Sequence, residues 1–136
     1  MSTLQGKTIL ITGASSGIGK AIADLSLQHG AHVIGLCRSV EKLRAGVTPI
    51  ACDLSDPEAI NHAFTSLTHL DILVNNAGLA YLSAISTGDP AQWEKMWQIN
   101  VHALSLCSQN ALKLFPKHGG HILNISSLSG HRVPPT

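Results

Sequence analysis

The sequence predicts a doubly wound α/β fold, in which helices cover both faces of a parallel β-sheet. Five short apolar segments alternate with segments of helical periodicity along the 136 residues. Hydrophobic residues make up 44% of the chain and charged residues only 12%, which is typical of strands buried on both faces. Right-handed crossovers between such strands give an expected strand order of 3-2-1-4-5.

The strands are predicted at 8–11, 31–36, 47–51, 71–74 and 121–125. The first helix is expected to bury Ile18, Ala21, Ile22 and Leu25 and to stop at Gly30. A short helical turn is predicted at 41–44, and a second full helix after a capping box at 55–58, with the apolar stripe Ala59, Ile60, Ala63, Phe64 and Leu67. A long helix is expected from Asp89-Pro90 to Phe115, lined on one side by Trp93, Met96, Trp97, Val101 and Leu104. The two tryptophans are predicted to pack in the core or between helices.

A glycine-rich turn, Thr12-Gly13-Ala14-Ser15-Ser16-Gly17-Ile18-Gly19, joins the first strand to the first helix. A helix N-terminus offers unpaired N–H groups and partial positive charge, so this arrangement favours binding of a phosphate. Gly13 allows a tight turn, Gly17 leaves room for a pyrophosphate, and Gly19 lets the helix pack closely. Glycines also mark ordinary turns, so the spacing alone leaves a purely structural turn open.

Composition narrows the class of protein. The formal charge of +1 gives no basic field for nucleic acid or an acidic membrane surface, and no apolar run reaches the length of a membrane span. Three cysteines without a C-x-x-C pair favour a reduced setting, so a cytoplasmic location is expected. Among the eight histidines, His118 and His121 are the closest pair, but they span a turn without further ligands, and no metal site is predicted.

Four motifs together resemble the short-chain dehydrogenase/reductase family. They are the glycine turn 12–19, Asn75-Asn76-Ala77-Gly78 after the fourth strand, Asn100 in the long helix, and Gly120-His121-Ile122-Leu123-Asn124-Ile125-Ser126-Ser127 on the fifth strand. The resemblance covers essentially the whole chain, about half of a family member. It implies a Rossmann fold that binds NAD(P), and we expect residues 1–136 to form a single NADP-binding domain that ends after the fifth strand and lacks the family's later strands.

The resemblance implies a set of cofactor-binding residues. Gly13, Ser15, Ser16, Gly17, Ile18 and Gly19 would hold the pyrophosphate, Asp53 and Leu54 the adenine, and Asn75, Ala77 and Gly78 the adjoining ribose. Asp53 has an equally good interpretation as a turn residue after a strand. Asn75 and Asn76 likewise have an alternative interpretation, as residues that only link neighbouring strands.

The position at the end of the second strand predicts the choice of cofactor. NAD-preferring proteins usually carry an acidic residue there, and this chain has Cys37 followed by Arg38 and Ser39. The Arg38 guanidinium can pair with a 2′-phosphate and Ser39 can add a hydroxyl, so NADP is expected rather than NAD. The alternative is a solvated arginine at the start of a helix.

The resemblance also implies catalytic roles for Ser127, as the hydroxyl that binds the substrate carbonyl, and for Asn100, in a proton relay. Asn100 has an alternative as a paired core amide. The family's acid, the tyrosine of Tyr-x-x-x-Lys, has no match: the single tyrosine is Tyr81, Ile85 lies four residues later, and no lysine follows Ser127. We therefore expect these 136 residues alone not to catalyse carbonyl reduction.

The function predicted from the resemblance is hydride transfer between NADP and a small carbonyl or secondary alcohol substrate, with the complete enzyme a homo-oligomer that has neither nucleic-acid nor membrane partners. A non-catalytic nucleotide-binding or regulatory module is the alternative, because the acid is absent. An unrelated Rossmann domain such as a methyltransferase is disfavoured by Asn75–Gly78 and Ser126-Ser127.

Overall fold

The structure, a computed structural model that describes residues 4–130, contains one parallel sheet in the order β3-β2-β1-β4-β5, as predicted. The strands are β1 Thr8–Thr12, β2 His32–Cys37, β3 Thr48–Ala51, β4 Ile72–Asn75 and β5 His121–Asn124. The α-helices are α1 Gly17–Gln28, α2 Pro57–Thr65, α3 Pro90–Trp97 and α4 Leu104–Leu112, with a π-helical segment at Gln98–Ala103 and 3-10 turns at Val40–Lys42 and Leu128–Gly130.

Alternate residues of the central strand β1 enter two separate cores. Leu10 packs on one face of the sheet with Phe64 of α2 and Cys107 of α4. Ile11 packs on the other face with Ala23 of α1. Both faces of β1 are therefore buried, as its continuous apolar sequence predicts.

Helix α1 buries only part of the predicted face: Ile22 packs against the core, but Ala21 is exposed. Ile18 and Leu25 are 61% and 55% exposed, whereas Gly19, Ala23 and Ser26 are buried against the sheet. The buried face consists of small residues at i, i+4 and i+7, which allow the helix axis to approach the strands closely. The apolar stripe at Ile18 and Leu25 lies about one residue, or ~100°, around the helix from that face. The predicted stop is confirmed, since Gly30 follows the helix with a φ of +80°.

The predicted capping box at the start of α2 is wrong in its capping residue. Asp56, not Ser55, is the N-cap, and its carboxylate accepts a hydrogen bond from the Glu58 N–H at 2.9 Å. The Ser55 hydroxyl donates instead to the Asp53 carboxylate at 2.8 Å. The Ser55 hydroxyl is thus turned toward Asp53, and the Glu58 N–H that would donate to a capping serine is satisfied by Asp56.

The long helix begins as predicted, with Asp89 capping the Ala91 N–H at 2.9 Å, but its expected apolar face is not the buried one. Trp97 is 66% exposed, so the prediction of a core position is wrong for this residue. Burial instead falls on Ala103 and on Cys107 and Ala111 of α4. The widened π-helical turn between α3 and α4 changes the 3.6-residue register on which the predicted face rested.

Asp71 holds the amino-terminal ends of β1 and β4 together. Its carboxylate, 11% exposed, accepts hydrogen bonds from the Thr8 N–H at 2.9 Å, the Lys7 ammonium at 3.1 Å and the His69 ring at 3.0 Å. Burial by itself raises the pKa of this carboxyl, and the three hydrogen bonds overcome that effect and lower the pKa to about 2.

This lowered pKa predicts a loss of stability in acid. Because the folded-state pKa lies below the unfolded value of 3.8, ionised Asp71 stabilises the fold by roughly 2 kcal/mol above pH 4, and this contribution disappears as the pH falls to 2. We expect Asp71→Asn to remove this part of the acid sensitivity in urea unfolding measured from pH 7 to pH 2. The exposed Glu94→Gln is the control, and equal pH profiles for the two variants would contradict the prediction.

Candidate functional site

A cleft of about 360 Å³ lies at the carboxyl ends of the parallel strands, where open α/β sheets bind ligands. Nine of the residues predicted from sequence to hold a cofactor line it: Gly13, Ser15, Ser16, Arg38, Ser39, Asp53, Leu54, Ala77 and Gly78. Gly17, Ile18, Gly19 and Asn75, together with Ser127 and Asn100, are not part of its wall.

The glycine turn takes a backbone shape that side chains oppose. Gly13 has a φ of +70° and Gly17 a φ of +53°, in the left-handed region. A Cβ on Gly13 would lie 3.0 Å from the Ala77 Cα, whereas a Cβ on Gly17 would point into open space. Contacts within the protein therefore explain why residue 13 is a glycine. At residue 17, the reasons for a glycine are the left-handed backbone and the space it leaves for a ligand.

Gly19 allows close packing, as predicted, but the groups that pack against it belong to the glycine turn and to the loop after β4. A Cβ at Gly19 would collide with the Asn76 amide and the Gly13 carbonyl. The missing side chain therefore makes room for Asn76, whose amide donates to the Thr12 carbonyl at 3.0 Å.

The first turn of α1 is open to an anion. The N-cap Ser16 makes no capping hydrogen bond, and no acidic residue lies in the first turn. Within residues 4–130 the Gly17, Ile18 and Gly19 N–H groups have no hydrogen-bond partner. Uncapped donors at the positive end of the helix dipole suit a phosphate group.

Thr12 joins this turn to the loop after β4. Its hydroxyl oxygen accepts hydrogen bonds from the Asn76 and Ala77 N–H groups, both at 3.0 Å. Sequence reasoning missed this role of Thr12. The parallel neighbours β1 and β4 end side by side here, which brings the two motifs into contact.

Asn75 points away from the cleft. Its buried amide donates to the Ser108 hydroxyl at 3.1 Å and to the Asn124 side-chain oxygen at 2.9 Å. These bonds link β4 to α4 and β5. The alternative interpretation of Asn75 and Asn76 as links between elements therefore describes their contacts, while Ala77 and Gly78 line the cleft.

Charge is concentrated at the end of the cleft formed by β2 and β3. The backbone N–H and hydroxyl of Ser55, together with Arg38 and Lys95, lower the pKa of the Asp53 carboxyl. The interpretation of Asp53 as a turn residue describes its contacts, since its Oδ1 accepts two bonds from Ser55. The residue also lines the cleft, and its role as an adenine contact stays a prediction. Arg38 is exposed and forms no hydrogen bond or ion pair in the part of the chain that the structure describes.

Lys95 of α3 also lines the cleft, although sequence reasoning did not predict it there.

Asn100 is exposed, whereas the sequence placed it on the apolar side of the helix. Its amide oxygen accepts from the Leu79 N–H and its amide nitrogen donates to the Leu79 carbonyl, both at 2.8 Å. One side chain thus holds the loop after β4 against the π-helical segment.

The two candidate groups for substrate chemistry differ in position. Ser127 follows β5, is exposed, and its hydroxyl oxygen accepts from the Ser129 N–H at 3.2 Å. Its hydroxyl hydrogen is therefore free to donate. Tyr81 lines the cleft, with its backbone N–H 3.2 Å from the Met96 sulfur.

The described residues hold no group of three or more histidine, cysteine or acidic side chains arranged to bind a metal. Across residues 4–130, no helix combines the length and apolar character needed to cross a membrane.

Comparison with known proteins finds the same family that the motifs predict. The sequence model described as short chain dehydrogenase matches residues 7–136. Dehydrogenase/reductase SDR family member 11 from Gallus gallus is 38% identical over 99% of this chain and 60% of its own length. Farnesol dehydrogenase from Aedes aegypti is 35% identical over 98% of this chain and 62% of its own length.

The fold comparison agrees. A short-chain type dehydrogenase/reductase from Mycobacterium marinum superposes with a TM-score of 0.88 at 30% identity, covering 98% of this chain and 60% of that protein. The chain thus spans about three fifths of the length of these relatives. On the match over residues 7–136 and the shared sheet, the chain belongs to the short-chain dehydrogenase/reductase family, whose members bind nicotinamide cofactors.

Proposed function

We propose that this chain is the nucleotide-binding part of an NADP-dependent oxidoreductase, which transfers hydride between the nicotinamide and a carbonyl or secondary alcohol carbon. The observation that carries the proposal is one cleft lined on one side by the left-handed Gly13 and the uncapped N-cap residue Ser16 of α1, and on the other by Arg38, whose guanidinium makes no hydrogen bond or ion pair within residues 4–130. The first suits a pyrophosphate and the second a 2′-phosphate.

The residues present fit such a dinucleotide. The open space beside Gly17 and the uncapped N–H groups of α1 accept the pyrophosphate, next to Ser15 and Ser16, which line the cleft. Asp53 and Leu54 border the adenine position, and Ala77 and Gly78 the adjoining ribose. When bound, the nicotinamide supplies the hydride chemistry, and the chain's own residues bind and orient it.

On the substrate side, Ser127 donates its free hydroxyl hydrogen to the carbonyl oxygen. The Asn100 amide donates one hydrogen to the Leu79 carbonyl, and its second hydrogen can bind a water molecule of the proton relay. Within the 136 residues no Tyr-x-x-x-Lys supplies the proton.

The first prediction concerns Arg38. A charge-assisted hydrogen bond to phosphate contributes about 1.5–3 kcal/mol, so Arg38→Ala should weaken NADPH binding roughly 10- to 100-fold and change NADH binding little. Dissociation constants from titration of the nicotinamide fluorescence measure both. Arg44→Ala, which removes a guanidinium paired with Asp24 away from the cleft, is the control. Equal losses for the two cofactors would argue that Arg38 is only a solvated surface group.

The second prediction concerns Gly17. Gly17→Val places a branched side chain over the pyrophosphate position, and we expect it to abolish the rise in melting temperature produced by NADPH. Gly6→Val is the matched control, since Gly6 also has a left-handed φ (+73°) and open space around it but precedes β1, at the other end of that strand from the glycine turn. Both variants carry similar backbone strain, about 1–3 kcal/mol. Retained stabilisation in the Gly17 variant would mean that the turn is structural only.

The third prediction concerns catalysis by residues 1–136 alone. General acid catalysis contributes roughly 10²–10⁴-fold, and Ser127 is too weak an acid to replace a phenol. We expect NADPH oxidation against a panel of aldehydes and ketones to stay at the background rate, with a complete family member as positive control. Turnover near that of the control would refute the expectation. Loss of that turnover in Tyr81→Phe would then identify the Tyr81 phenol, which belongs to a residue lining the cleft, as the proton donor.

A further inference from the structure

Lys95 is a cation of the cleft that has no hydrogen-bonded or ion-paired partner among residues 4–130, although the Asp53 carboxylate attracts it at longer range. It is exposed on α3, it lines the same cleft as Arg38 and Asp53, and it forms no hydrogen bond or ion pair within residues 4–130. Lys20 and Lys7, by contrast, are paired with Asp24 and Asp71. An unpaired lysine inside a ligand cleft is available to an anion.

The helix that carries Lys95 is fixed at this end of the cleft by its own next turn. Lys95, Gln98 and Ile99 share one helical face at i, i+3 and i+4. The Gln98 amide donates to the carbonyl of Ser55, the residue that also holds Asp53, and Ile99 lines the cleft. The face that carries Lys95 is therefore turned toward the Asp53 loop.

Arg38 reaches this end of the cleft from the loop after β2, and Lys95 reaches it from α3. Both cations act electrostatically on the same carboxylate, Asp53, whose Oδ1 is already occupied by Ser55. Asp56 also acts on this end of the cleft, through Cys52, but is not part of the wall. The wall itself carries two cations, Arg38 and Lys95, and one carboxylate, Asp53, which leaves one excess positive charge on it. A monoester phosphate carries between one and two negative charges at neutral pH, which balances it.

We propose that Lys95 is a second specificity-determining cation of the cleft, acting with Arg38 on the 2′-phosphate of a phosphorylated dinucleotide. The proposal rests on the NADP-binding function proposed above and adds a residue to its recognition of the phosphate. Lysine acts here as a point charge and arginine as a planar donor, so the two roles differ in geometry.

The test compares two ligands that differ only in this phosphate, adenosine 2′,5′-bisphosphate and adenosine 5′-monophosphate. Binding of each to the full chain is measured by calorimetry at low and at physiological salt. We expect Lys95→Ala to reduce the preference for the bisphosphate at least about threefold, Lys95→Arg to retain it, and the effect to shrink as salt rises. Lys117→Ala, an exposed lysine outside the cleft, should leave the preference unchanged.

An Asp53→Asn background separates direct phosphate contact from simple charge balance. If Lys95 only offsets the Asp53 carboxylate, the effect of Lys95→Ala vanishes in that background, and the proposal is overturned. If Lys95→Ala leaves the preference intact while Arg38→Ala removes it, this proposal fails and the NADP-binding function stands. If the unmodified chain binds neither nucleotide, or both equally, the proposed NADP dependence fails as well. A persistent threefold loss in the Asp53→Asn background supports the assignment.

Discussion

The side chains of Thr12 and Asn76 form the contact on which the cleft depends. The Thr12 hydroxyl accepts from two N–H groups of the β4 loop, and the Asn76 amide donates back to the carbonyl of Thr12. Parallel strands leave their carboxyl ends without a direct turn between them, so loops there need side chains to fix them. This reciprocal pair holds the glycine turn at one position relative to the opposite wall.

Most other features of the cleft follow from that contact. Gly19 has to be glycine because the Asn76 amide occupies the space of its side chain, and Gly13 because Ala77 lies against it. With the turn held in this way, the N-cap residue Ser16 lies in the cleft wall, and the N–H groups of the first turn of α1 that follow it have no hydrogen-bond partner within residues 4–130. The opposite wall is fixed separately, through Asn100 to Leu79 and Gln98 to Ser55.

Sequence reasoning predicted the strand order and the positions of most cleft residues, because these depend on motifs and on the alternation of elements. It failed where two patterns competed. The Ile18–Leu25 stripe is more apolar than the face that α1 buries, yet small residues such as Ala23 win because they allow closer packing. The exposure of Trp97 depends on a π-helical turn, which a 3.6-residue period does not represent. Lys95 was not predicted for a related reason, because contacts between residues distant in sequence turn its helix toward the cleft.

The reciprocal pair spans 64 residues of the chain, and this separation links ligand capture to the order of assembly. The segment up to β2 contains the whole glycine turn, yet the turn acquires its supporting partner only after β4 has joined β1. A ligand that binds only the assembled sheet adds its binding free energy to that state alone. Any ligand held by both motifs would therefore favour the state in which β4 is paired with β1, and would strengthen the contact between segments that lie 64 residues apart in the chain.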